Sequence, residues 1–366
     1  MNIKNLIYLE NMHIQEAKQA LDKIISKARI HLYKPIQIAE ILYRDRIEGD
    51  IDLEDLETYR NQSKKWRDII CLRFLGRTST SSARYQDDIF NENAVPPSVL
   101  CVLGTENRLK AGIVEKYIYS QFERRFSQMS EGLNYCGTHD KTNFQVGEFI
   151  RLFWNEPGLR RSIDKIYEIV VYALFSALVE CLKVKVTVEA DQNKQGLLEE
   201  FSDFTERVIG LTKERSKITV NAKINRVGVT NAADRGLDMW ANFGMAIQIK
   251  HLSLTEELAE NIVSSITSDR IVIVCKDSEK ETIVSLLTQI GWRAKIQSVI
   301  TEADLILWYD RALRGMFSEE IGDKVLSILN DEILLEFPVT NSRDFDSFKR
   351  MRGYDLISLS DIWVND

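Results

Sequence analysis

Apolar residues recur at spacings of three and four along the first half of the chain, which is the pattern of amphipathic helices. The segments with this pattern are EAKQALDKIISKARIHL, PIQIAEILYRDRI, LEDLETYRNQSKKWRDIICLRFL, AGIVEKYIYSQFERRFSQM and SIDKIYEIVVYALFSALVECL. Breaks around Pro35, Pro96 and Pro157 interrupt the pattern, and Pro35 and Pro157 can each open the helix that follows. We therefore predict a large N-terminal helical region.

The pattern changes after about Leu182, where alternation with a period of two begins. VKVTVEA alternates, QGLLEEFSDFTERVIGL returns to helical spacing, and the strand-like runs RVGVT, LDMWA and AIQIKHL follow in quick succession. Ser253-Leu-Thr-Glu256 is typical of a capping box that begins a helix, and RIVIVC is typical of a buried strand. A further helix, the strand AKIQSVI and another helix follow, so the second half is predicted to be mixed α/β.

Composition limits the class of protein and its location. With 366 residues, 44% hydrophobic and 28% charged, the chain fits a soluble protein of two domains, and its net charge of −7 argues against a wholly basic nucleic-acid coat. Five cysteines without a CxxC pair favour reduced thiols. The N-terminus has no signal-peptide pattern, and the most apolar run, Ile169–Val179, is shorter than the roughly 20 residues of a membrane span. We expect a cytoplasmic protein with no membrane partner.

The stretch GLDMWANFGMAIQIKHL carries the candidate chemistry. Residues two apart on a strand share a face, so Gln248 and Lys250 project together. A hairpin that turns at Asn242-Phe-Gly244 can bring Asp238 opposite this pair. Carboxylate and amide oxygens suit Mg²⁺, and a lysine beside them can orient or deprotonate the attacking water. Metal-assisted phosphodiester hydrolysis needs such a set of groups.

The helix that precedes these strands offers a further acid. Helical spacing predicts one buried face, made of Leu197, Phe201, Phe204, Val208 and Leu211. At about 100° per residue Glu200 lies beside that face, so Glu200 is our candidate for an additional catalytic acid, and Asp234 in the following turn is a weaker one.

The tripeptide Gln-x-Lys alone has little specificity, since Gln192-Asn-Lys194 is a second example in a polar stretch. The order of Asp, short turn, strand with Gln-x-Lys, capped helix and buried strand is more informative. The alternative at this point is a solvated hairpin with no catalytic role.

A basic segment lies in the helical half. Between residues 60 and 84 the only acidic residue is Asp68. The basic residues of this segment are Arg60, Lys64, Lys65, Arg67, Arg73, Arg77 and Arg84. Such a segment is typical of a surface that contacts DNA phosphates and grooves. The alternative is a solvated helix face that balances the acidic run DIDLEDLE just before it.

The motif resembles that of the PD-(D/E)xK nuclease superfamily, in the variant in which Gln replaces the second acid. More specifically, four phrases resemble the HaeII family of type II restriction endonucleases. They are KPIQIAEILYRDR, LETYRNQSKKWRDIICLRFLGRTSTSSARYQD, FWNEPGLRRSIDKIYEIVVYALF and RVGVTNAADRGLDMWANFGMAIQIKHLSLTEELAE. Together they span most of the chain, and Asp238, Gln248 and Lys250 match the superfamily motif position by position.

The resemblance implies an α+β fold with a PD-(D/E)xK nuclease core, in which helices flank a central mixed sheet. It also implies a Mg²⁺-dependent homodimer that cuts both strands of double-stranded DNA within a GCGC core flanked by purine and pyrimidine. Asp238 and Gln248 would bind the metal, and Lys250 would act on the water. We predict that residues 1–182 grip DNA and dimerise and that residues 183–366 form the nuclease domain, with the boundary anywhere from about 155 to 195.

Other functions stay open at this point. A repair or structure-specific nuclease of the same superfamily, a non-catalytic DNA-binding regulator on a nuclease scaffold and a structural two-domain protein all fit parts of the pattern. The chain has no P-loop, no dinucleotide-binding glycine fingerprint and no Gly-x-Ser-x-Gly elbow, so we expect no nucleotide cofactor.

Overall fold

The structure is a computed structural model that describes residues 3–28, 31–79, 87–155, 163–227, 237–266, 268, 270–278, 296–337, 342–359 and 361–364. The chain forms two compact units. The helical unit comprises Met1–Tyr135, Glu148–Ile163 and Ile333–Asp366, and the sheet unit comprises Cys136–Gly147 and Asp164–Glu332. Among the described residues, no helix has the length and apolar character that crossing a membrane requires.

Helices account for most of the described residues before Lys183. They are Ile3–Lys27, Tyr33–Ile47, Gln62–Leu75, Pro97–Leu109, Ile113–Thr138, Val146–Asn155 and Ile163–Cys181. The longer helices towards the C-terminus are Glu256–Ser265, Glu302–Arg314, Ser318–Glu336 and Ser342–Met351. The predicted helical character of the first half is confirmed.

The core of the helical unit includes side chains from the far end of the chain. Phe345 and Phe348 on the helix Ser342–Met351 make edge-to-face contacts with Phe74, at ring distances of 5.2 and 5.1 Å. Phe122 packs against Phe345 in the same cluster. Aromatic pairs of this kind add to the free energy of area burial, so the C-terminal residues are held in the helical unit.

A buried ion pair lies in the same core. Arg352 donates hydrogen bonds to both carboxylate oxygens of Glu40, at 3.0 and 2.9 Å, and the Tyr119 hydroxyl donates to Glu40 at 2.5 Å. Burial raises the pKa of Glu40, and the Arg352 guanidinium opposes that rise. The bidentate geometry compensates two charges that water no longer solvates.

The described residues of the sheet unit form two sheets. The strands are β1 Lys185–Glu189, β2 Lys217–Asn221, β3 Ile224–Arg226, β4 Met239–Ala241, β5 Met245–Lys250, β6 Arg270–Cys275 and β7 Ile296–Ile300. The strands β1 and β2 form an antiparallel pair by themselves. The five-stranded sheet has the order β3-β4-β5-β6-β7, antiparallel from β3 to β5 and parallel from β5 to β7. This confirms the mixed α+β fold.

The helix Glu256–Ser265 connects β5 to β6 and covers one face of the sheet. Ala259 and Ile262 on this helix pack against Ala246, Ile271 and Ile273. Thr255 begins the helix by accepting a hydrogen bond from the backbone of Leu258, so the predicted N-cap, Ser253, is two residues from the observed one. The parallel pair β5–β6 is therefore buried, as its apolar sequence predicts.

The predicted boundary between residues 182 and 183 does not coincide with the compact units. Residues 164–182 belong to the sheet unit, because the helix Ile163–Cys181 packs there, and Tyr167 donates a hydrogen bond to the carbonyl of Cys275. Residues 333–366 belong to the helical unit, because Phe345 and Phe348 pack against Phe74 there. The separate functions assigned to the two halves stay predictions.

The buried face predicted for residues 197–211 is wrong. Leu197, Phe201, Phe204 and Val208 are exposed, whereas Leu198, Thr205 and Leu211 are buried. The segment forms a short helix that ends at Glu200, one further turn and a π-helical turn Thr205–Ile209, so an unbroken period of 3.6 does not apply. The strand β2 was not predicted either.

The Glu40–Arg352 pair gives a stability prediction. Arg352→Met should lower the free energy of unfolding by about 3 kcal/mol at neutral pH, because it leaves the buried Glu40 carboxylate without its partner. The pKa of Glu40 is already raised in the folded state and rises further without Arg352, so the folded variant binds the extra proton at low pH. The loss should therefore be smaller near pH 5 than near pH 8, as measured by chemical denaturation.

Glu199→Ala is the matched control, since it removes an exposed ion pair with Lys213. This variant should show little change in stability at either pH. An Arg352→Met protein as stable as the parent near pH 8 would contradict the role given to the buried pair.

Candidate active site

The hairpin β4–β5 positions the predicted catalytic residues. Met239 pairs with Ile247 and Ala241 with Met245, and the turn between them is Asn242–Gly244. Gly244 has a φ of 86°, a conformation that side-chain-bearing residues rarely adopt, so the glycine permits this tight turn. Continuing the register by one residue places Asp238 opposite Gln248.

Asp238 and Gln248 are in direct contact. Gln248 donates a hydrogen bond through Nε2 to Oδ2 of Asp238, and the backbone N–H of Ile249 donates to the same oxygen at 2.7 Å. Gln248 is only 2% exposed, and Asp238 is half-buried. Because both bonds end on Oδ2, a cation that binds through Oδ1 would disrupt neither of them.

Lys250 lies at the end of β5, on the same face as Gln248 and half-buried. Its charge acts on Asp238: burial raises the pKa of the Asp238 carboxyl, and the Ile249 N–H and the charges of Lys250 and Lys165 oppose that rise. The three residues predicted from the motif are thus brought to one place. Their catalytic roles stay predictions at this point.

A second carboxylate, Glu168, lies close enough for the charge of Asp238 to raise its pKa. It is 3% exposed, and burial is the largest cause of the raised pKa. Lys165 binds one of its oxygens at 2.5 Å, and Arg226 on β3 binds the other at 3.2 Å. Sequence reasoning missed Glu168. The available signal was an acid one turn after Lys165, at a position where the helix Ile163–Cys181 becomes almost wholly apolar.

Arg226 links this carboxylate to another one. The guanidinium lies 3.2 Å from Glu168 and 2.8 Å from Glu332, and Arg226 is itself 6% exposed. Lys165 and Arg226 therefore compensate two acids that have little access to water. The network holds the Glu168 carboxylate in one position next to β3, where Arg226 pairs with Met239 on β4.

The donor set fits a hard divalent cation only in part. Among the residues that the structure describes, no three His, Cys, Asp or Glu side chains come together as a metal site. Mg²⁺ nevertheless uses few protein carboxylates, because it retains waters and binds substrate phosphate. One or two carboxylates with the amide oxygen of Gln248 are compatible with that chemistry.

Among the described residues, the other acid predicted from the sequence, Glu200, has no such surroundings. Glu200 is exposed at the end of a short helix, and the buried face on which its assignment depended does not exist. Asp234 lies outside the described residues.

The basic segment is largely engaged in contacts within the helical unit. Arg60 and Lys64 pair with Asp87, Arg73 pairs with Asp344 at 2.6 Å, and Arg77 donates to the carbonyl of Glu336. Acids and carbonyls from distant parts of the sequence thus compensate charges that look unbalanced locally.

Arg67 is the residue of the basic segment whose burial is least compatible with binding DNA. It is 2% exposed and bonds to Gln37 and Asp68, so the expectation of a surface role for Arg67 is wrong. Lys65 is exposed as expected, and Arg84 lies outside the described residues.

Comparison with known proteins identifies relatives along nearly the whole chain. A family model described as HaeII restriction endonuclease matches residues 17–354. The type II restriction enzyme HaeII of Haemophilus aegyptius is 65% identical over 342 residues, which cover 93% of this chain and 97% of that protein. The type II restriction enzyme NgoBI of Neisseria gonorrhoeae is 60% identical over 343 residues, with the same two coverages. No solved structure gives a significant match.

The raised pKa of Asp238 gives a prediction for the metal-free protein. An acid with a raised pKa costs stability once the pH exceeds that pKa, because the folded state then carries a poorly solvated charge. Asp238→Asn keeps an oxygen acceptor for Ile249 and removes the charge. With a chelator present, the variant should unfold about 2 °C above the parent at neutral pH, and the difference should vanish near pH 4, as measured by calorimetry. An equal or lower midpoint at neutral pH would show that the charge is not a cost.

Proposed function

The chain belongs to the HaeII restriction endonuclease family, and we propose that it cuts both strands of DNA at a specific site by hydrolysing phosphodiester bonds. The observation that carries this proposal is the high identity to two type II restriction enzymes across 93% of the chain. The contact between Asp238 and Gln248, with Lys250 on the same strand face, supports hydrolysis at this site.

We assign Mg²⁺ as the cofactor, held by Asp238 and by the amide oxygen of Gln248. When bound, the cation would supply positive charge that stabilises the pentavalent phosphorus. Lys250 would donate hydrogen bonds that orient the attacking water towards the phosphorus. The water oxygen forms the new P–O bond and gives up a proton to solvent, one ester P–O bond breaks, and the departing sugar oxygen takes up a proton from solvent.

Glu168 is our choice for the additional acid, in place of Glu200. Gln248 supplies no charge, so a site with Asp238 alone holds a divalent cation with a single negative group. Glu168 adds a second carboxylate that is buried and already positioned by Lys165 and Arg226. Glu200 is exposed and has no comparable surroundings.

The finer features rest on the family resemblance. We propose a palindromic site with a GCGC core flanked by purine and pyrimidine, a homodimer that meets the two strands symmetrically, no nucleotide cofactor and action in the cytoplasm. A two-fold dimer with one active site per subunit matches the symmetry of a palindrome. Discrete fragments from a mapped plasmid would distinguish this function from the diffuse cutting of a repair nuclease.

Asp238→Ala and Lys250→Ala test the catalytic assignment. Each should slow cleavage by at least about 100-fold, because one removes a metal ligand and the other removes the group that orients water. Binding of an uncut duplex, measured by gel shift with Ca²⁺ in place of Mg²⁺, should change far less. Cleavage by either variant at the parent's rate would refute the assignment.

Glu168→Gln and Glu200→Gln form a matched pair that decides between the two acids. Glu168→Gln should raise the Mg²⁺ concentration for half-maximal cleavage by about tenfold, because a charged ligand is lost. Glu200→Gln should leave the Mg²⁺ dependence unchanged. Thermal unfolding checks that Glu168→Gln remains folded at the assay temperature. The reverse result would restore Glu200 as the catalytic acid.

A further inference from the structure

Trp240 on β4 is exposed although its strand lies inside the five-stranded sheet. The side chain is 45% exposed, whereas its neighbours Met239 and Ala241, which point to the opposite face, are buried. Its cross-strand partners are Asn225 on β3 and Ala246 on β5, both with short side chains. A large apolar ring on an interior strand is usually covered, and the exposed indole offers an apolar surface for contact.

The register places the indole next to the proposed catalytic residues. Trp240 pairs with Ala246, and Ala246 lies two residues before Gln248 on the same face of β5. Diagonal neighbours of this kind are about 7–8 Å apart, within reach of an aromatic side chain. Trp240 also lies two residues after Asp238, on the same face of the hairpin β4–β5. The helix Glu256–Ser265 covers Ala246. A DNA strand whose phosphate lies at Asp238 therefore passes Trp240 without crossing Ala246.

Two basic residues lie beyond Trp240, at the turn of the hairpin. Lys223 exchanges backbone and side-chain hydrogen bonds with Asn242, at 2.9 and 3.1 Å, and is exposed. Arg270 is also exposed and donates to the carbonyl of Phe243. From Asp238 to Asn242 the strand extends by about 13 Å. Arg270 pairs with Met245 and so leaves β6 on the face opposite to Trp240. The hairpin surface that carries the indole, from Lys250 past Trp240 to Lys223, therefore alternates positive charge and an aromatic ring.

The chemistry of this surface matches a nucleic-acid strand. DNA alternates phosphates with flat bases and apolar deoxyriboses, and 13 Å corresponds to about four nucleotides of axial rise. Aromatic side chains stack on bases regardless of sequence, while basic side chains bind the neighbouring phosphates. The flanking positive charges favour DNA over an apolar protein partner.

We propose that Trp240 contacts DNA directly, with its indole packed on a base or deoxyribose within about two nucleotides of the phosphate that is cut. Lys223 binds a phosphate on the same strand. The inference rests on the proposed function, since it takes the phosphate at Asp238 as its reference point. It adds an aromatic anchor to the catalytic residues Asp238, Gln248 and Lys250.

The cleavage site is first mapped by sequencing the ends of plasmid DNA that the full-length protein has cut. The test then uses the full-length protein and a short duplex that carries this site. Tryptophan emission is followed while the duplex is added with Ca²⁺ in place of Mg²⁺. Trp240→Phe should lose most of the emission change seen with the parent, because the stacked indole causes it. Trp154→Phe, which alters another exposed tryptophan, should keep that change.

Affinity and kinetics give a second measurement. Trp240→Ala should weaken binding about tenfold and raise KM more than it lowers kcat, with Trp240→Phe restoring much of the affinity. Lys223→Ala should reduce the slope of log affinity against log salt by about one. If Trp240→Ala is poorly folded, the change in tryptophan emission of the Trp240→Phe protein on binding DNA decides whether Trp240 contacts DNA.

Two results would overturn the inference: a parent whose emission does not change on binding, or a Trp240→Phe protein that keeps the full change. If the parent cuts the mapped site while the Trp240 variants bind as it does, the inference fails and the proposed function stands. If the parent cuts no DNA, the proposed function itself fails.

Discussion

The candidate site depends on one oxygen atom, Oδ2 of Asp238, which accepts hydrogen bonds from both the Gln248 amide and the backbone N–H of Ile249. These bonds tie the carboxylate to β5 and require the register set by the turn Asn242–Gly244. A slip of one residue would turn Gln248 and Lys250 to the opposite face and bring Ile247 and Ile249 in their place. The tight turn and the buried apolar residues of β5 therefore specify the chemistry as well as the fold.

Charge compensation is the second constraint on this region. Asp238 and Glu168 are carboxylates whose pKa values burial raises, and Lys165 and Arg226 oppose that effect at Glu168. Buried acids of this kind lower the free energy of unfolding but favour the binding of a cation. The same carboxylates therefore decrease stability and support function. The network from Lys165 through Arg226 to Glu332 compensates the charge of Glu168.

The parts of the structure that sequence predicted well are those that depend on local patterns. The strands β4 and β5 and their turn follow from alternation and a glycine, so Asp238 and Gln248 were found together. Glu168 was missed because its helix lies about seventy residues earlier, and only tertiary packing brings it to the hairpin. The assignment of Glu200 assumed an unbroken helix, and the π-helical turn after Phe204 removes that assumption.

The basic segment shows how the same limit bears on DNA binding. Its charges look unbalanced in sequence, but Asp87 and Asp344 pair with them in the fold. An exposed pair such as Arg73–Asp344 contributes little to stability, so a DNA phosphate could replace the carboxylate at small cost. Arg67 is different, because its burial means that any exchange would leave Gln37 and Asp68 without their donor. If this segment binds DNA, exposed residues such as Arg73 make the contacts, whereas Arg67 fixes the position of the helix Gln62–Leu75 through its hydrogen bonds.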